Sequence, residues 1–100
     1  MTKTLALMAA MAAATVSLNA QAFDAEAKYN QACVFCHAQG VAGAPKTFDA
    51  AAWAPRLEKG MDALVTSVTN GLNAMPKGGM CTDCSADDYK ALITYMSTPK

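Results

Sequence analysis

The sequence predicts an all-α domain. About four helices, one of them very short, should be wrapped by long loops around a group that the polypeptide does not itself supply. Three observations predict this. Apolar residues recur at spacings of three and four, and no stretch reads convincingly as a strand. Residues 39–47 and 72–84 are long for connections in so small a chain unless they enclose something. The core is thin, with only nine Leu, Ile and Val residues after position 22 against 14 Ala. A small domain buries a lesser fraction of its surface, so such a core needs a disulfide, a metal or a buried cofactor.

The 100 residues allow one domain. Eight basic residues balance eight acidic ones, which excludes the basic footprint of a nucleic-acid binder and a polybasic membrane patch. Residues 1–22 read as an export signal to be cleaved. Lys3 supplies the positive end, Leu5 to Ala14 an uncharged apolar run, and Ala20-Gln21-Ala22 the small-residue cleavage site. The run is too short to cross a bilayer, which takes about 20 apolar residues, and no stable membrane anchor is expected. The mature domain is then 23–100, and it keeps all four cysteines, at 33, 36, 81 and 84. An exported chain meets an oxidising compartment, where free thiols are not expected to persist.

Asp24 can cap a first helix over about 25–35, with Glu26 in its first turn and Ala25, Tyr29 and Ala32 on one face. Residues 39–47, with two Gly and one Pro, form a loop. Pro55 suits the start of a short helix ending near Gly60. Residues 61–70 form the next helix, with Leu64, Val65 and Val68 inward and Gly71 as its stop. Pro76, Gly78 and Gly79 keep 72–84 irregular. Ser85 with Asp88 approximates a capping box for a last helix over about 86–97, whose inward face includes Leu92, Tyr95 and Met96.

The strongest chemical signal is Cys33-Val34-Phe35-Cys36-His37, the C-x-x-C-H run that attaches c-type haem. Two thiols three residues apart on a helical turn reach both vinyl groups of one porphyrin. The next residue then projects its imidazole along the ring normal. A thiol oxidoreductase would set its CxxC in a βαβ pattern, which is absent. A four-Cys zinc site would pair Cys33/Cys36 with Cys81/Cys84, but the inner cysteines are far apart for a zinc ribbon, and His37 would be unexplained. The sixth iron ligand is expected from Met61, Met75, Met80 or Met96. Met61 and Met96 fall on helices, where apolar core is the simpler role. Met75 is favoured because Pro76 stiffens an irregular stretch that can loop over the open haem face. Met80, in the same loop, is its rival.

These residues resemble the class I c-type cytochromes, and bacterial cytochrome c5 most of all. The matching pieces are CVFCHAQGVAGAPK (33–46), WAPRLEKG (53–60), NAMPKGGMCTDCS (73–85) and DDYKALITYM (87–96). The resemblance implies the cytochrome c fold around one covalently bound haem c. It implies that the Pro45 carbonyl accepts a hydrogen bond from the His37 imidazole, and that Trp53 and Arg56 bond a haem propionate. It also implies a disulfide between Cys81 and Cys84, which would stiffen the turn after the Met75 loop. Ala25 stands where the class usually has Gly, so close packing of the first helix on Leu92 and Tyr95 should survive at slightly wider separation.

The expected function is a small periplasmic one-electron carrier of a respiratory chain, not an enzyme. Its expected partners are redox proteins that dock transiently at the haem edge: membrane cytochrome complexes, terminal oxidases or reductases. The chain is expected to be a monomer. The competing class is an enzyme with an open iron. However, His37 is the sole His, and no acid–base residue is evident for the distal side.

Overall fold

The computed structural model describes residues 23–100. The expected export signal, 1–22, lies outside them. Among the described residues five α-helices follow in order: α1 (Ala25–Gln31), α2 (Val34–His37), α3 (Ala50–Leu57), α4 (Met61–Asn70) and α5 (Ala86–Ser97). Short 3-10 turns occupy Val41–Gly43 and Lys77–Met80 inside the two long loops. Among the described residues there is no strand, only an isolated bridge between Leu72 and Met75.

α4 and α5 run as their patterns predict. The Ser85 hydroxyl accepts from the Asp88 N–H and the Asp88 carboxylate accepts from the Ser85 N–H, a complete capping box. Gly60 and Gly71 bound α4 in conformations with positive φ. The first helix is shorter than expected. The Asp24 carboxylate caps it by accepting from Ala27, but it ends at Gln31, where the Ala32 N–H is shared between the Lys28 and Tyr29 carbonyls. A break there lets α2 start afresh on Cys33.

α3 differs more. It starts at Ala50, capped by Asp49 through the Ala52 N–H at 3.2 Å, and carries Pro55 inside rather than at its start. With no N–H, Pro55 gives up the bond to the Ala51 carbonyl and crowds it, a cost taken inside the helix.

α5 and α1 form the heart of the core, with Tyr29, Ala32, Leu92, Ile93 and Met96 buried together with Trp53, Cys81 and Tyr89. Tyr89 and Ile93 join Leu92 and Met96 on the inward face, whereas Tyr95 is only half-buried, its ring 5.3 Å from that of Tyr29. Phe48 ties the middle loop to α5: its N–H donates to the Met96 carbonyl at 2.7 Å and its ring meets Tyr95 edge-on. Ala25 is partly buried against this core, in keeping with close packing of the first helix.

Candidate functional site

A cavity opens between the α1–α2 junction, the 40s loop, α3, α4 and the 72–80 loop, with α5 as its floor. The two cysteines of the C-x-x-C-H run both line it, and both are free thiols. Burial pushes the Cys33 thiol above its ordinary range, against an opposing pull from its own backbone.

His37 ends α2 and lines the same cavity. Its Nδ1 stands 2.8 Å from the Pro45 carbonyl oxygen. A carbonyl only accepts, so Nδ1 carries the proton and Nε2 keeps its lone pair. Burial lowers the tendency of the ring to take a second proton. Arg56 acts the same way, and the Pro45 carbonyl opposes both. A neutral imidazole with one nitrogen anchored and the other free is the form that binds a metal.

Met75 comes from the 72–76 turn, closed by Leu72 N–H to the Met75 carbonyl at 3.0 Å and Met75 N–H to the Leu72 carbonyl at 2.8 Å. Met75 is half-buried, while Met80 is 57% exposed, though both line the cavity. Leu64 and Val68, from the inward face of α4, give it apolar walls. Val41 and Leu72 line it yet remain about half exposed, so one edge is an apolar rim open to solvent.

Arg56 and Trp53 both line the cavity, from α3. The Arg56 guanidinium donates to the Ala52 carbonyl at 2.7 Å and to the Gly43 carbonyl at 3.4 Å. Those bonds leave other donors of its fork for a carboxylate. Trp53 is different. Its single donor, the indole N–H, is spent on the Lys46 carbonyl at 2.9 Å. The ring lines the cavity and its N–H faces the Lys46 carbonyl.

Cys81 and Cys84 are joined by a disulfide, the pairing that the resemblance implied. Ser85, not His, follows Cys84, so this pair is not a second haem-attachment run. Disulfide sulfurs also offer no thiolates to zinc, which removes the four-Cys reading. Tyr89, absent from the residues expected on the inward face, stands beneath this turn. Its hydroxyl donates to the Cys81 carbonyl at 2.8 Å. The signal was present in the spacing: Tyr89 stands three and four residues before Leu92 and Ile93, and Met96 four and three after them.

The donor set fits a covalently held haem. Two free thiols, an imidazole anchored at Nδ1 and a thioether line one apolar cavity, open at one edge. Helices enclosing such a cavity, with C-x-x-C-H at its wall, define a c-type cytochrome.

Residues 20–96 match the model of the family described as cytochrome c oxidase, cbb3-type, subunit III. The chain is similar to cytochrome c5 of Azotobacter vinelandii, with 47% identity over 76 residues, 74% of this chain and 88% of that one. Among solved structures it is similar to a mono-haem ferrocytochrome c from Shewanella putrefaciens, 63% identical with a TM-score of 0.69, covering 79% of this chain and 98% of the other. It is also similar to a cytochrome c solved in an electron-transfer complex with nitrite reductase, 46% identical with a TM-score of 0.67, covering 73% and 89%. The chain belongs to this cytochrome family, as a class I c-type cytochrome related to cytochrome c5. It is a small monohaem electron carrier with covalently bound haem c, not an enzyme.

Proposed function

We propose that this chain is a periplasmic carrier of single electrons in a respiratory chain, with its haem held by thioether links to Cys33 and Cys36 and by His37 and Met75. The observation that carries the reading is the convergence of both free thiols, the Nδ1-anchored imidazole and Met75 on one cavity. Haem supplies iron that alternates between ferrous and ferric forms. The chain's part is to hold the ligands still. Pro45 fixes the imidazole plane, and the bonded Leu72–Met75 turn fixes the thioether. Leu64, Val68, Leu92 and Ile93 exclude water from the cavity. Arg56, with donors to spare, binds a propionate.

Export rests on the signal-like segment 1–22. Among the described residues no helix is long and apolar enough to cross a membrane. The rim of Val41, Leu72 and Met80 is where a partner docks, through the small interface usual for electron-transfer encounters. Partners are membrane cytochrome complexes, terminal oxidases or reductases. A similar cytochrome solved with nitrite reductase supports the reductase class. The carrier acts as a monomer.

The ligand assignment is tested by two variants. Met75→Ala abolishes the weak near-infrared thioether band of the ferric protein and lowers its reduction potential, because thioether favours ferrous iron. Met80→Ala keeps the band. The reverse pattern transfers the ligand role to Met80.

A further inference from the structure

Three consecutive residues of the middle loop are each tied to a different part of the molecule. The Pro45 carbonyl accepts from His37 Nδ1 at 2.8 Å. The Lys46 carbonyl accepts from Trp53 Nε1 at 2.9 Å and from the Asp49 N–H at 3.1 Å. The Thr47 N–H donates to the His37 carbonyl at 2.9 Å, and its hydroxyl meets that of Tyr29 at 2.7 Å. Peptide units are planar, so only the two torsions of Lys46 separate the carbonyl that faces His37 from the carbonyl that Trp53 holds.

Trp53 is well placed to hold it. It sits in mid-helix on α3 and is only 4% exposed. Its ring also lies beside the His37 imidazole, with centroids 5.7 Å apart and planes 20° from parallel. One buried side chain therefore grips the strap that orients His37 and flanks the imidazole itself.

We propose that Trp53 is a positioning residue for His37: by holding the Lys46 carbonyl, two torsions away from the peptide that presents the Pro45 oxygen to Nδ1, it limits how that oxygen can move, and so sets how strongly the imidazole donates to iron. The proposal rests on His37 as the haem ligand. A strong bond at Nδ1 raises the basicity of the imidazole and favours ferric iron. Loosening the strap, which the Asp49 and Thr47 backbone bonds still hold in part, weakens that bond and favours ferrous iron.

The test is Trp53→Phe in the haem-loaded protein, which keeps an aromatic face and removes the N–H. Exchange of the His37 Nδ1 proton with solvent, followed by NMR in the ferrous form, should quicken by about two- to ten-fold, the factor for one net hydrogen bond. The reduction potential should rise. A purely structural role would lower the denaturation midpoint, quicken exchange only as far as global stability falls, and leave the potential alone. Unchanged proton exchange and potential in a folded Trp53→Phe protein overturn the proposal.

A second measurement on the parent covers a variant that does not fold. The Trp53 Nε1 and His37 Nδ1 protons should exchange through one shared opening, with the same dependence on denaturant. Free exchange at Trp53 while His37 stays protected overturns the proposal. Failure of the underlying assignment looks different, since the spectrum of the parent would then show haem without a bound imidazole.

Discussion

Gly78→Ala puts the 72–80 loop under a defined strain. Gly78 is buried at φ +78°, and a Cβ there would stand 3.1 Å from the Tyr89 hydroxyl oxygen. That hydroxyl already donates to the Cys81 carbonyl at 2.8 Å. The left-handed backbone costs a side-chain-bearing residue about 1–2 kcal/mol. Pushing the hydroxyl off its acceptor costs about 0.5–1.5 kcal/mol more. The sum is about 1.5–3.5 kcal/mol, to be read in urea by following the ferric near-infrared thioether band beside far-UV circular dichroism. With a slope of about 1–3 kcal/mol per molar urea, the band should vanish about 1 M earlier than in the parent. Tyr89→Phe removes the hydroxyl, so Gly78→Ala should cost about 1 kcal/mol less in that background, a coupling expected of contacting groups. A Gly78→Ala protein within about 0.5 kcal/mol of the parent, or one with the same cost in both backgrounds, refutes the reasoning.

Replacing the disulfide by Cys81→Ser/Cys84→Ser should cost about 2 kcal/mol, since the bond closes a loop of only four residues. The thioether band should be lost at lower urea while haem attachment and electron transfer to a small oxidant stay as in the parent, and intact mass with stopped-flow kinetics checks both. Lys28→Ala should change stability by no more than about 0.5 kcal/mol in the same titration. Its 3.8 Å pairing with Asp83 is made in solvent, with the Asp83 side chain 81% exposed.

Where local chemistry decides a boundary, the boundary was legible. The Ser85–Asp88 box starts α5, and Gly60 and Gly71 delimit α4. The first helix was expected to run unbroken to about 35, because nothing in the local pattern marks Ala32. The break is a backbone event: Ala32 leaves the helical region at φ −133° and ψ −67°. In α3 the proline drew the expected start to itself, whereas Asp49 is the actual cap. The C-x-x-C-H run was readable because each of its residues carries its own chemistry, and Cys33, Cys36 and His37 line one cavity with both Met75 and Met80. The partner of the Trp53 N–H was not readable. A donor's partner depends on how the loop folds back, and the Lys46 carbonyl leaves no mark in the sequence.

The central claim is one covalently attached haem on Cys33 and Cys36. Its most direct test is the intact mass of the mature protein, made with haem-attachment machinery and measured under denaturing conditions that strip any unlinked haem. The account predicts the mass of residues 23–100 plus one haem, and a parent-chain haem lost only when both Cys33→Ala and Cys36→Ala are introduced. A mass equal to the bare polypeptide would contradict it.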